Sequence, residues 1–455
     1  MKPTIPKSVK CIVAITALAV LPISVRLAAQ ETNRKQPHYC VARLGTLGGT
    51  FSGAYAGINS KGWAAGDSSL NGDLTEHGFL WRQGVITDLG TLGGSNSAAS
   101  FINDRGVIAG SAQTAEADPL GEFWGQGFSC PQGPGPNSAC QGYEKLVLPY
   151  LWRNGVMTAL PTLGGNNGQA NDVNNLGQVV GWAENSTVDP SCASPQVFDI
   201  EAVIWGPDAN EIQELPPLPG DAIAAAIALN DEGQVVGLSG ICGAPSLYLG
   251  VHAVLWQNGS VIDLGGFGGA HNNAAWYINN RGQVVGQSDL PGDTITHAFL
   301  WQNGVIKDLG ALLPTDVFSQ AQSINDKGQV VGNSCDASFN CLPFVWENGV
   351  MTDLNALIPP DSPLQLTFAA NINAEGQITG VALDKNTGEM PGFVATPCDE
   401  QHASYEGCAD SAASVPATAQ AASKRTNVIL PASIREHLQK RLGLGRFAGG
   451  PVTPQ

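Results

Sequence analysis

The sequence predicts an all-β chain: a seven-bladed β-propeller whose N-terminal strand closes the last blade, followed by a flexible C-terminal tail. Three observations carry this expectation. One unit is written seven times between residues 30 and 398, each copy holds up to four short apolar runs separated by turn residues, and the last copy lacks a run that stands ahead of the first.

At 455 residues the chain exceeds the usual size of one core, so it is either several domains or one domain made by repetition. Only 13% of residues are charged, while Gly at 56 and Pro at 29 are abundant, which suits short strands and many turns.

The clearest copy begins Asp263-Leu264-Gly265-Gly266-Phe267-Gly268-Gly269 and continues through Tyr277-Ile278-Asn279 to Val284-Val285-Gly286. It ends with His297-Ala298-Phe299-Leu300-Trp301 and Asn303-Gly304-Val305-Ile306. The Ile-Asn element recurs at Asn59, Asn103, Asn174, Asn230, Asn279, Asn325 and Asn373, spaced by 44, 71, 56, 49, 46 and 48 residues. Insertions account for the variation. They fall after Val-Val-Gly and before Phe-Leu-Trp, notably at 111–146 and 183–200. Asp326-Lys327-Gly328 and Gln302-Asn303-Gly304 are hairpin turns with glycine where positive φ is needed, so two hairpins make one four-stranded blade.

The final copy stops before any Gly-Val-Ile-Thr-Asp-Leu run, and His38 to Gly45 supplies it at the other terminus. Alignment then places Cys40 and Cys398 on either side of the closure. A Cys40–Cys398 disulfide would contribute about 3 to 5 kcal/mol through the long loop it closes, with Cys398–Cys408 as the rival pairing and Cys408 or Cys40 left over. Cys130 with Cys140, Cys335 with Cys341, and Cys192 with Cys242 are the other expected pairs, and no cysteine has zinc spacing.

The strings His297-Ala298-Phe299-Leu300-Trp301, His252-Ala253-Val254-Leu255-Trp256 and His77-Gly78-Phe79-Leu80-Trp81 resemble the bacterial extracellular HAF-repeat family. So do the Ile-Asn-Asp-x-Gly-x-Val-Val-Gly and Asp-Leu-Gly-x-Leu-Gly-Gly elements, over about residues 40 to 396. The resemblance implies an exported repeat protein and brings no catalytic residues with it.

Little chemistry stands out from the repeat. His77, His252 and His297 read as hydrogen-bonding strand-edge residues, and Trp81, Trp152, Trp205, Trp256, Trp301 and Trp346 as packing between blades. The Asn-Asp-x-Gly strings are turns without calcium-loop ligands. The off-pattern residues Trp124 and Trp182 are candidates for stacking on a glycan, and Asp289 and Asp293 for an acid or calcium pair. No metal centre and no cofactor is expected, and no nucleophile elbow, P-loop or dinucleotide fingerprint is present.

Residues 1–29 read as a signal peptide: Lys2, Lys7 and Lys10, an apolar run from Cys11, and small residues at Ala28 and Ala29. Its removal takes away four cations and no acid, moving the formal charge from −17 to −21, which disfavours nucleic acid and anionic lipid. No later run is long enough to span a membrane. Residues 399–426 form an Ala/Ser-rich linker, and 427–455 a basic tail with one short amphipathic helix.

The expected product is a monomer, secreted or periplasmic. It would be a non-catalytic binding module for a glycan or envelope component, acting through the insertion-bearing rim. A secreted lyase or glycoside hydrolase using channel-mouth carboxylates, or a structural surface protein, are the alternatives.

Overall fold

The computed structural model describes residues 38–122, 145–190, 192, 196–206, 211–242 and 251–398. The signal-peptide, linker and tail expectations, and those for Trp124, Cys130, Cys140 and Cys408, fall outside these residues. Within them the chain is an all-β propeller, with one 3₁₀ turn at Leu354–Leu357. No helix among the described residues is long and apolar enough to cross a membrane.

Each repeat folds as two hairpins. In the clearest copy, Ala274–Ile278, Val284–Asp289, Thr296–Gln302 and Val305–Gly310 pair antiparallel in that order. The first turn is built by its asparagine: Asn279 Oδ1 accepts the main-chain N–H of Arg281 and of Gln283, both at 3.0 Å, and Gly282 adopts φ 69°. The second turn places Asn303 at φ 51° and Gly304 at 81°, the two left-handed residues of a type I′ hairpin.

The glycine of the Val-Val-Gly element answers to sterics. A Cβ on Gly332 would lie 2.0 Å from the Gln320 carbonyl oxygen and 2.7 Å from the Phe344 ring, and Gly286 faces Ala274 and Phe299 in the same way. The inner strand bulges beside each, between Ala321 and Ser323 and between Ala275 and Tyr277. Gly332→Ala is therefore expected to destabilise by about 3 kcal/mol in urea denaturation, because backbone atoms must give way. A wild-type midpoint would remove this steric account.

The expected seven separate sheets are found as five of four strands and a sixth of eight. In the eight-stranded sheet two successive repeats are joined by one parallel pairing, Thr296 with Phe318, because the inner strand Asp316–Ile324 begins early enough to lie beside Thr296–Gln302. At the chain ends Tyr39–Arg43 pairs antiparallel with Gly392–Pro397 and becomes the outermost strand of that sheet, as expected from the missing run. Cys40 and Cys398 are both disulfide-bonded. Cys192–Cys242 and Cys335–Cys341 are formed.

Neighbouring repeats share their cores. Val107 and Ala109 of one pack with Val173, Val203 and Trp205 of the next, and Val180 and Ala202 pack with Ala224, Val235 and Trp256. Trp205 and Trp256 are fully buried, and their indole N–H groups donate to the carbonyls of Pro161 and Pro216.

The asparagines of the repeat do more than cap their own turns. Asn59 Nδ2 donates to the carbonyl of Asn103, and Asn103 to that of Asn174. The series continues through Asn230, Asn279, Asn325 and Asn373, and Asn373 donates back to Asn59 at 3.1 Å. Seven buried side chains thus form one closed cycle of hydrogen bonds around the channel. The following residues add a second, incomplete tier, in which Ser60, Asp104, Asn175, Asp231 and Asn280 each donate a main-chain N–H to the side chain of the next.

Candidate functional site

The inner strands of all repeats face a central channel, and the residues two to five positions before each asparagine line it. A waist formed by Phe101, Asp172, Tyr277 and Asn371 divides it into two cavities. The Phe101 and Tyr277 rings lie 5.8 Å apart, and Asn371 hydrogen-bonds the Tyr277 side chain. Burial holds the Tyr277 hydroxyl well above the usual phenol range, and the nearby Asp172, Asp326 and Asp104 add to this.

The first cavity, of about 180 Å³, lies on the side of the waist toward the Leu-Gly-Gly connections and the insertions. It is aromatic and amide in character. Tyr55, Phe101, Trp276, Tyr277 and Phe368 supply ring surface, and Gln169, Asn171, Gln322 and Asn371 supply amides. The aromatic wall is held by contacts of its own, with Tyr55 against Phe368 at 6.0 Å and Phe51 at 6.5 Å. Asn171 donates to the Ala226 carbonyl at 2.7 Å, which ties one inner strand to the next.

The second cavity, of about 170 Å³, opens among the asparagine turns, where Asp104, Asp231 and Asp326 gather. Carboxylates do converge on this mouth, but each serves a neighbouring turn: Asp104 accepts from Ser60 N–H, Asp231 from Asn175 N–H and Asp326 from Asn280 N–H. Asp172, at the waist, accepts from Val173 N–H at 2.7 Å and Leu229 N–H at 2.9 Å, linking adjacent inner strands. Burial pushes its carboxyl up to about 7; the two N–H bonds oppose the rise and Asp231 adds to it.

A third group of acids sits at the opposite rim. Glu184 accepts from the main-chain N–H of Asn166 and Asn167, while Glu122 accepts from those of Val197 and Phe198. The Gln196 amide donates to both carboxylates, and Asn167 bridges Glu184 to Asp118. This network ties the described ends of both insertions to the sheet, and burial raises the Glu184 carboxyl above its ordinary range.

Of the candidate residues singled out from sequence, Trp182, Asp289 and Asp293 lie among the described residues. Trp182, expected to offer a stacking face where a loop begins, is 2% exposed and packs with Ala98, Val147, Ile223 and Leu238. The strand holding it does not end there but runs from Val179 to Val188, which points the indole between sheets. Asp289 is likewise a strand residue, fully buried and accepting from the Thr296 hydroxyl at 2.6 Å. Asp293 caps the turn ahead of it, at φ 54°, and accepts from Ala270 N–H. Asp289 thus belongs to strand architecture and Asp293 to a turn.

His77 and His297 sit at the strand edge as expected, each with Nδ1 2.9 Å from a carboxylate oxygen of its own hairpin, Asp88 and Asp308. His252 departs from this pattern and turns to Asp221. Asp189, Cys192 and Cys242 place three metal-capable atoms together, but the two sulfurs are joined as a disulfide and offer no thiolate.

No family model matches the chain, and no curated protein matches it. Among solved structures it is similar to a Mycobacterium tuberculosis puromycin-hydrolyzing peptidase, at 11% identity and a TM-score of 0.40, covering 79% of this chain and 56% of that one. It is also similar to Porphyromonas gingivalis dipeptidyl peptidase 4, at 10% identity and 0.36, covering 73% and 51%. A third likeness is to an AofleA variant from Arthrobotrys oligospora, at 11% and 0.31, covering 70% and 89%. The chain spans about half the length of the two peptidases. No activity passes from these proteins to this one.

Proposed function

We propose that the protein is an exported, monomeric binding module whose ligand, a glycan of the cell envelope or its surroundings, enters the channel from the insertion-bearing rim. The observation that carries this reading is the lining of the first cavity: five aromatic rings and four side-chain amides, with Asp172 the one charged residue type among them. Sugar rings present apolar faces and hydroxyl edges, and aromatic surface with amides complements both. Export is supported by the Cys192–Cys242 and Cys335–Cys341 disulfides, which persist in oxidising compartments.

We also count the eight-stranded sheet as two blades, giving seven. The support is that its two halves share a single parallel pairing, and that the asparagine cycle has seven members.

The catalytic alternative needs carboxylates available for proton transfer. Asp104, Asp231 and Asp326 instead accept neighbouring main-chain N–H groups at the mouth away from the aromatic cavity, and Asp172, the one carboxyl lining that cavity, accepts those of Val173 and Leu229, which favours binding. The test is glycan-array binding of the full chain, followed by calorimetry on the best ligand. Trp276→Ala is expected to weaken binding about tenfold, the loss of roughly 1.4 kcal/mol of stacking, with the far-UV spectrum retained. Unchanged affinity in both Trp276→Ala and Tyr55→Ala would remove the channel from the account.

A further inference from the structure

Three histidines occupy one position of the repeat, each eleven residues before an aspartate on the outer strand: His77 and Asp88, His252 and Asp263, His297 and Asp308. The strand registers are the same, with Phe79 opposite Asp88, Val254 opposite Asp263 and Phe299 opposite Asp308. In two copies the histidine closes onto its aspartate. In the third, His252 Nδ1 lies 2.9 Å from Asp221, a residue of the connection leading into the inner strand. Asp221 is fixed in turn by the Ser239 hydroxyl, which donates to the same oxygen at 2.6 Å.

Where the usual pair would sit, a cavity of about 360 Å³ opens on the insertion-bearing rim, lined by His252, Asp263, Asn273 and the glycine turn 265–269. His252 Nδ1 is engaged with Asp221, which leaves Nε2 as the ring's second polar atom. Asp263 uses one oxygen on Gly265 N–H, and its second has no protein partner among the described residues. Two polar side chains on neighbouring strands therefore share one cavity. The glycine turn packs closely on the sheet beneath it: a Cβ on Gly266 would lie 2.8 Å from the Ser288 hydroxyl, and one on Gly269 2.4 Å from Asp289.

We propose that this cavity is a second ligand subsite that takes one neutral hexose unit. His252 and Asp263 hydrogen-bond adjacent sugar hydroxyls, and the ring lies against the glycine turn. Asp221 is the positioning residue that turns His252 away from Asp263 and so keeps the cavity open. The proposal rests on the glycan-binding reading and adds a place outside the channel where a saccharide is held.

The test is saturation-transfer-difference NMR on the full chain with galactose, glucose and mannose as probes. With Trp276→Ala present to remove the channel's contribution, His252→Ala and Asp263→Asn are each expected to reduce transfer to the preferred hexose at least about fivefold. His77→Ala, the same substitution where the pair is closed, should leave it unchanged. Trp276→Ala separates the two sites. Loss of transfer in Trp276→Ala with none in His252→Ala would overturn this subsite and leave the channel reading standing, and the reverse would do the opposite. Transfer to none of the three hexoses in the wild type, or a signal that vanishes with EDTA and returns with zinc, would also overturn the proposal.

Discussion

Asn373→Ala is expected to lower the unfolding free energy by roughly 3 to 5 kcal/mol, a large share of the stability of a typical domain. The side chain is 7% exposed and makes four hydrogen bonds. Nδ2 donates to the Asn59 carbonyl and to Gln377 Oε1, and Oδ1 accepts from Glu375 and Gln377 N–H at 3.1 and 2.8 Å. Alanine would leave several of these partners buried without a replacement, and an orphaned buried group costs about 1 to 3 kcal/mol. The position also joins the last repeat to the first, 314 residues apart in the chain. Asn373→Asp isolates that joint, since it keeps the acceptor for the turn and loses the donor to Asn59; an intermediate loss is expected. Urea denaturation of both variants checks the prediction. A midpoint for Asn373→Ala within experimental error of wild type would show that the cycle is incidental to stability.

The framework of this protein is legible in its sequence because the framework is what repeats. The Asn of each turn, the glycine beneath Phe299 or Phe344, and the Asn-Gly hairpin recur since every copy meets the same steric and hydrogen-bonding demands. The closing strand was legible for the same reason, as a unit missing at one end and present at the other.

The channel is hidden by that regularity. Two residues before the repeated asparagine stand Gly57, Phe101, Asp172, Ala228, Tyr277, Ser323 and Asn371. Aligning the copies averages these differences away, although they are what the lining presents to a ligand. Scanning that column for variation, instead of conformity, would have found the waist. Trp182 and Asp289 read as loop residues for a different reason, which is that strands continuing past Val-Val-Gly look like loop sequence once small and polar residues begin. His252 could not be distinguished from His77 by its own hairpin, because the difference lies in Asp221, thirty-one residues earlier.

Stability is expected to fall as pH rises from about 4.5 to about 8. Three buried carboxyls favour their protonated forms in the folded chain. Asp172 is raised to about 7 and Glu201 to about 8, the latter by burial and then by Asp199 and Glu214, while Glu184 is raised chiefly by burial. The unfolded chain releases these protons near pH 4. Between the two values the folded state binds more protons than the unfolded one, so each rise in pH favours unfolding. The stabilisation is fully present below the unfolded value and is lost once pH passes the folded one. For Asp172, buried at 2% exposure, the difference corresponds to at most about 4 kcal/mol. Urea midpoints at pH 5, 6.5 and 8.5 should therefore descend, by roughly 3 kcal/mol or more in unfolding free energy across the range. Asp172→Asn should flatten the curve, since the amide keeps an acceptor for one of the Val173 and Leu229 N–H groups without a charge to bury. A midpoint that climbs from pH 5 to 8.5 would mean that these carboxyls ionise at ordinary values, and that water reaches the waist of the channel.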